Sequence, residues 1–393
     1  MAGDPSAEES LRGEGSRRER GWRIFLSAGE ASGDLHGSEV ARALHRAEPS
    51  LELYGLGGPR MAAAGVRLLA DLDTLAVMGV SEVARRLPSL LGVRHRVRGF
   101  LVRRSVDLFL PIDYPGLNLH LSAFARRRGL AVLYYIAPQV WAWREGRARR
   151  LARHCDLICT VLPFEEELLS RYGARAIFVG HPLLDAAPNE GRQESSPAGD
   201  GGSEARVVLS LFPGSREQEV RRILPIFAAA GRRVLEARPS TELLVAAAPG
   251  LPEHLYEAAA PARRVSPEQA VRCATAALAK SGTVNLQLAL AGVPLVVGYR
   301  MAHLSYRVAR RLVRVERISL VNLVAGERIV PELIQEQMTP RALCEAVLPL
   351  LDENAPQRRE MKTGLDRVRA RLGDPGCADR VARLTLRLLA GKA

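Results

Sequence analysis

A chain of 393 residues has room for two domains, or three small ones, at roughly 100–200 residues each, with ample apolar surface for true cores. Hydrophobic residues at 47% and charged residues at 25% exclude a mainly disordered chain, and no run of eighteen apolar residues is present to span a bilayer. The net charge of +13 rests almost wholly on arginine, since lysine occurs only at 280, 362 and 392; this bias reads as a GC-rich coding sequence and leaves phosphate-bearing ligands and acidic membranes open as partners.

Residues 1–20 mix charge with Gly and Ser and lack the apolar core of an export signal, so a loose tail on a non-exported protein is expected. Short β-branched and Leu-rich runs then recur at 24–30 (IFLSAGE), 51–58 (LELYGLGG), 106–113 (VDLFLPID), 130–138 (LAVLYYIAP), 155–163 (CDLICTVLP) and 174–182 (ARAIFVGHP). Each is closed by Gly, Pro or Ser and followed by a segment of helical period, which calls for a parallel sheet covered on both faces. Residues 188–205 (PNEGRQESSPAGDGGSEA) break the alternation and read as a linker. Alternation restarts at 206–215 (RVVLSLFPGS), 242–250 (ELLVAAAPG), 274–282 (ATAALAKSG) and 294–300 (PLVVGYR), and from Thr339 onward helices are expected. The expected fold is α/β: two doubly wound, Rossmann-like domains over 21–187 and 206–338 facing a central cleft, with a helical C-terminal tail over 339–393. Cysteines at 155, 159, 273, 344 and 377 are odd in number and scattered, and Cys155 and Cys159 share an apolar run, so reduced core residues are expected.

Chemistry is expected where strands end. The first run closes as Ser27-Ala28-Gly29-Glu30-Ala31-Ser32-Gly33-Asp34, whose small residues let backbone N–H groups approach a ligand and whose Ser32 or Asp34 can cap the next helix. Neither this turn nor GLGGPR at 55–60 matches the dinucleotide fingerprint, and no Walker A sequence occurs. Asp113 stands at a strand's C-terminal end just before Tyr114-Pro115-Gly116-Leu117-Asn118, a position that suits a general base and equally a turn acid. Trp141 and Trp143 follow the next strand, either as a flat wall for a sugar or acyl chain or as core beneath the loop. His181 in Gly180-His181-Pro182 reads as a structural histidine.

In the second domain Pro213-Gly214-Ser215-Arg216 follows one strand, and Ser281-Gly282-Thr283 follows another and opens a helical run. Hydroxyls and free N–H groups at a helix start suit a diphosphate, with Arg216 as a fixed cation, although an ordinary Ser or Thr cap has the same letters. Asp71-Leu72-Asp73 has the DxD spacing of a divalent-cation site but ends no strong strand, so a solvated turn is expected and neither metal nor cofactor.

Residues 83–104 carry seven arginines and no acid, and residues 300–317 repeat the theme. Arg85, Arg86, Leu90, Leu91, Arg94, Arg96 and Arg98 are expected to face an anionic membrane, where each cation is worth roughly 1 kcal/mol. Helices packing an apolar face inward is the competing reading. Neither stretch has a recognised RNA-binding motif or interleaved aromatics, so no nucleic acid is expected as a partner.

The ordered set SAGEASGD, GLGGPRM, LAVMGVSEV, PIDYPGLN, APQVWAWR, LPFE, VGHP, FPGSR, SGT, VVGYRM and SLVNLVAG, over about residues 22–385, resembles the lipid-A-disaccharide synthase family of glycosyltransferases. The resemblance implies a GT-B fold and transfer of a diacylated glucosamine from UDP to the 6-hydroxyl of diacylglucosamine 1-phosphate, with inversion and without metal. It further implies work at the cytoplasmic face of the inner membrane, as a monomer or homodimer, and a C-terminal tail that crosses back to an N-terminal domain. By motif it makes Asp113 the base, places Glu30, Ser32, Gly33 and Asn118 on the acceptor side, and gives Arg216, Ser281, Gly282, Thr283, Gln287 and Asn322 to UDP. Gln287 departs from the Glu usual in the family; an amide accepts fewer hydrogen bonds from ribose hydroxyls, which at a buried site costs on the order of 1–3 kcal/mol. The alternatives are a UDP-sugar 2-epimerase on the same fold and a non-catalytic basic protein that binds membrane or RNA.

Overall fold

The structure, a computed structural model, describes residues 21–71, 80–140, 145–186, 206–301 and 317–391. The expected tail 1–20, the linker 188–205, Leu72 and Asp73, Trp141 and Trp143, the basic residues 302–316, and the side chains of Arg85, Arg86 and Leu90 lie outside the described residues. Contacts divide the chain into two units, one running to Asp185 and resuming at Asp374, the other running from Ala186 to Gly373.

In the first unit the apolar runs become β1 (Arg23–Ser27), β2 (Glu52–Gly57), β3 (Arg67–Asp71), β4 (Leu108–Pro111), β5 (Ala131–Tyr135), β6 (Leu157–Thr160) and β7 (Ala176–Phe178). All pair in parallel, in the order β3-β2-β1-β4-β5-β6-β7. Parallel neighbours need crossovers, and the helices that supply them cover both faces; the strands are apolar at successive positions for that reason. Phe25 and Phe109 pack against Val93, Val97 and Leu101 of helix Val80–Arg103 and against Leu117 and Leu121 of helix Pro115–Arg127. The order reverses between β1 and β4, so their C-terminal ends flank the crevice where open α/β sheets bind ligands.

The second unit repeats the plan with β8 (Val208–Phe212), β9 (Glu242–Ala246), β10 (Arg263–Val265), β11 (Ala276–Lys280), β12 (Leu295–Tyr299) and β13 (Glu332–Ile334). The order is β10-β9-β8-β11-β12-β13, again all parallel, with its reversal between β8 and β11.

The segment 339–393 is divided between the units. Helices Pro340–Val347 and Pro356–Arg371 stay with the second sheet, burying Leu343, Val347, Leu365 and Val368, and the buried Arg358 donates to the carbonyls of Thr275 and Leu350. Only helix Cys377–Leu389 belongs to the first unit. The Asp185 carboxylate accepts from the backbone N–H groups of Gly376, Cys377 and Ala378, which satisfies the start of that helix. Cys377 Sγ lies 3.2 Å from the Tyr135 hydroxyl and 3.3 Å from the Gly180 carbonyl, and Arg380 Nε donates to the Val179 carbonyl at 2.8 Å. All five cysteines are free thiols; Cys159, Cys344 and Cys377 are buried, Cys155 partly so, and Cys273 is exposed. Burial pushes the Cys155, Cys159 and Cys377 thiols up and keeps them protonated. Among the described residues no helix is long and apolar enough to cross a membrane.

Candidate functional site

The turn after β4 is held in an unfavourable backbone conformation. Asp113 and Tyr114 both have positive φ, 45° and 47°, a region that costs a non-glycine residue roughly 1–2 kcal/mol. Several bonds offset this. The Asp113 N–H donates to the Tyr135 carbonyl at 3.0 Å, and the Asp113 carbonyl accepts from Asn118 Nδ2 at 2.8 Å and from the Tyr134 hydroxyl at 2.7 Å. The Tyr114 ring lies on the bare backbone of Gly29, where a Cβ would sit 2.2 Å from a ring carbon. Glycine at 29 is thus required by the close approach of the two turns at the switch point.

This arrangement presents the Asp113 carboxyl in a mostly dry place. Burial, and secondly the negative charge of Glu30, raise its pKa from 3.8 to about 6, while the Tyr114 N–H and His36 pull it partly back. Above pH 6 it is ionised yet more basic than a solvated carboxylate, which is what a general base at neutral pH requires. Glu30 itself is exposed and takes the N-cap position of helix Ala31–Ala47 without a side-chain cap bond. The first N–H groups of that helix are therefore left without a side-chain cap beside exposed Ser32. Gly33 is buried against Ala28, with its missing Cβ 3.1 Å from the Ala28 methyl.

Two residues on the helices that follow β1 and β4 have roles the motifs did not reveal. Asp34 does not cap its own helix; its Oδ1 accepts from the N–H groups of Gly58 at 2.8 Å and Met61 at 3.0 Å, and its Oδ2 from Arg60 at 3.1 Å, so it caps the short helix Pro59–Ala63 of the GLGGPRM turn. Asn118, expected on the acceptor side, is fully buried with its side chain turned inward: Oδ1 accepts from Ser27 Oγ at 2.7 Å, and Nδ2 donates to the carbonyls of Ser27, Ile112 and Asp113. It is a brace between the ends of β1 and β4. His181 is structural as expected, buried with Nδ1 accepting the Leu183 N–H at 3.2 Å; burial first and His36 second bring its pKa down to about 4, so it is neutral at pH 7.

In the second unit the Pro213–Arg216 turn follows β8, with Gly214 at φ +124° and Arg216 exposed at the N-cap of helix Glu217–Ala237. The Ser215 N–H donates to Glu219 Oε2 at 3.2 Å. Ser281, at the turn after β11, donates its hydroxyl to the Ile318 carbonyl at 2.7 Å, and Thr283 is exposed at the N-cap of helix Val284–Leu290 without a side-chain cap bond. The ordinary Ser or Thr cap is thus not made. Gln287 is exposed, so the penalty argued for a buried amide does not apply in full.

Asn322, expected at the nucleotide, has its side chain turned inward. It is fully buried; Nδ2 donates to the Val330 carbonyl and to Glu332 Oε1, and Oδ1 accepts from the N–H groups of Ile329 and Val330, all at 2.8–2.9 Å. Glu332 also accepts from the N–H groups of Ile318 at 3.0 Å and Ser319 at 2.9 Å, which fixes the carbonyl that holds Ser281. Glu332, buried Gln335, which holds both backbone groups of Met301, and the Glu219–Lys280 ion pair at 2.9 Å are further site-shaping residues that sequence motifs missed. A polar residue set in an apolar run, as Asn322 is in LVNLVA, is the signal for such a brace, because a buried amide must find partners inside.

Of the membrane-facing set, Leu91 is 47% exposed and Arg96 is exposed, whereas Arg94 is only part-exposed. Arg98 is part-buried: its guanidinium lies 5.0 Å from the centre of the Phe124 ring, and its Nε is buried without a partner among the described residues. Val93, Val97 and Leu101 face the core, so the helix does pack an apolar side inward. Asp71 ends β3, and among the described residues no cluster of three His, Cys, Asp or Glu stands ready to hold a metal ion.

Two doubly wound parallel sheets, each with small-residue turns at its switch point, match solved structures along nearly the whole chain. A putative UDP-N-acetylglucosamine 2-epimerase from Listeria monocytogenes aligns with a TM-score of 0.63 at 13% identity, covering 94% of this chain and 96% of that one. The MurG structure from Acinetobacter baumannii aligns at 0.55 and 15% identity, covering 93% and 99%. At such identities the likeness speaks for fold, and the fold is GT-B. The sequence narrows this to glycosyl transfer. The family model for lipid-A-disaccharide synthetase matches residues 24–378. A lipid-A-disaccharide synthase from Geobacter sulfurreducens is 39% identical over 93% of this chain and 97% of its own, and one from Syntrophus aciditrophicus is 40% identical over 93% and 97%. The chain belongs to the lipid-A-disaccharide synthase family and is a hexosyltransferase; the epimerase and non-catalytic alternatives are not favoured.

Proposed function

We propose that the protein transfers 2,3-diacylglucosamine from UDP to the 6-hydroxyl of 2,3-diacylglucosamine 1-phosphate, giving the β(1→6) disaccharide 1-phosphate and UDP. Asp113 takes the proton of the 6-hydroxyl as that oxygen attacks the anomeric carbon on the face opposite the leaving diphosphate. The oxygen–carbon bond forms as the carbon–phosphate-oxygen bond breaks, with inversion, and the proton ends on Asp113. Glu30 and the uncapped start of helix Ala31–Ala47 serve the acceptor side. Arg216 and the backbone of Ser281–Thr283 take the charge that develops on the departing UDP. The observation that carries this reading is the Asp113 carboxyl, held at a strand end in a left-handed turn and raised to about 6.

Both substrates are acylated, so the same reading places the enzyme on the cytoplasmic face of the inner membrane, docked through Leu91, Arg94 and Arg96 on anionic lipid. Synthetic donor and acceptor test the reaction. UDP should be released only when both are present, with the disaccharide phosphate found by mass spectrometry. UDP release without acceptor would point to hydrolysis, and conversion of the donor to its 2-epimer without release would point to epimerisation; either would overturn the assignment.

A further inference from the structure

The turn after β11 carries a cation that no motif singles out. Lys280 is the last residue of β11 and one of three lysines among 56 basic residues in the chain. Its Nζ lies 2.9 Å from Glu219 Oε1 and 5.8 Å from the centre of the Tyr299 ring. A Cβ added to Gly282 would stand 3.9 Å from Nζ, so the ammonium sits directly beside the bare backbone of the Ser281–Thr283 turn. The side chains of Lys280 and Glu219 are each 20% exposed, dry enough to strengthen a charge contact and open enough to be reached.

An ammonium has three N–H donors. One goes to Glu219, and among the described residues the other two meet no protein acceptor. Glu219 uses its second oxygen on the Ser215 N–H, so the ion pair ties the turn after β8 to the end of β11. Lysine puts a compact charge with three rotatable donors at this position, between a carboxylate, a ring face and the bare backbone of a glycine.

We propose that Lys280 binds the diphosphate of the donor nucleotide, placing its two unused N–H donors on phosphate oxygens and joining Arg216 in neutralising UDP as it leaves. This rests on the reading of the Pro213–Arg216 and Ser281–Thr283 turns as the nucleotide site.

Calorimetric titration of the full chain with UDP and with uridine tests it. Lys280→Met should weaken UDP roughly ten- to hundred-fold, the range for a hydrogen bond to a charged group, and leave uridine binding unchanged. Lys280→Gln serves the same purpose if the methionine variant does not fold. The single change strands Glu219, whose charge would itself repel UDP, so the double variant Lys280→Met/Glu219→Gln decides: the loss should persist. Recovery to within about two-fold of wild type in the double variant, or equal losses for UDP and uridine, would overturn the proposal. If Arg216→Ala weakens UDP while the double variant does not, the nucleotide site stands and Lys280 lies outside it. If the wild-type protein binds no UDP, both readings fall.

Discussion

Replacing Asp113 by Asn should make the protein more stable and far less active. A carboxyl whose folded pKa exceeds its unfolded one holds its proton more tightly when folded. The stability this contributes is fully present below the unfolded value of 3.8 and is lost as the pH rises through about 6. A displacement of about two pH units at 1.36 kcal/mol each puts the cost of ionising Asp113 above pH 6 at about 3 kcal/mol. Asn is neutral at every pH, and its Oδ1 can still accept the Tyr114 N–H. Asp113→Asn should therefore unfold several degrees higher than wild type at pH 8, with the difference shrinking toward zero near pH 4. Turnover should fall by roughly 10²–10⁴ because no base remains for the acceptor hydroxyl. Scanning calorimetry across pH and a coupled assay of UDP release read the two effects separately. A variant that keeps wild-type turnover, or that melts below wild type at pH 8, would refute the claim that a buried, strained carboxylate is the base.

The wild-type rate should rise with pH through about 6 as Asp113 loses its proton, and Glu30→Gln should move that limb to lower pH by removing the second cause of the raised value; a limb that stays in place would clear Glu30 of any influence. Asn322→Ala leaves the Ile329 and Val330 N–H groups and the Glu332 carboxylate short of partners, and should cost about 2–4 kcal/mol in denaturant unfolding. Gln287→Glu, on an exposed helix face, should change UDP affinity less than about ten-fold by calorimetry, since an exposed contact is worth little.

The alternation of apolar run and helical period was enough to read two parallel sheets, because strands buried on both faces must be apolar throughout. The three strands that escaped, β3, β10 and β13, are all at sheet edges. β10 buries one residue of three and β13 is likewise only partly buried, so neither shows a continuous apolar run. That Asp113, Arg216 and the Ser281–Thr283 turn, which form the proposed site, lie just past strand ends was legible because such ends are marked by Gly, Pro and Ser. The direction in which a side chain points was not. Asn118 and Asn322 occupy motif positions that look available to a ligand, and Asp34 one that looks like a cap of its own helix, yet each faces inward and spends its hydrogen bonds on neighbouring segments. Lys280 and Glu219 were missed for the converse reason: their pairing spans two crossovers, and no local pattern marks it.

Asn118 shows how such a brace bears on chemistry without touching substrate. Its amide holds the carbonyl of Asp113 and both the hydroxyl and carbonyl of Ser27, so the positive-φ pair at 113 and 114 is fastened from below to the neighbouring strand. Asn118→Ala removes those bonds and leaves only the Tyr134 hydroxyl on the Asp113 carbonyl. The turn then has reason to relax toward negative φ, which would swing the carboxyl out of its dry setting and lower its pKa toward 3.8. Three signs should appear together: kcat reduced at least about ten-fold, the acid limb of the rate profile moved to lower pH, and UDP affinity unchanged because Asn118 lies outside the unit that holds the turns proposed for the nucleotide. A loss of stability alone, with the rate profile intact, would make Asn118 a core residue with no part in positioning the base.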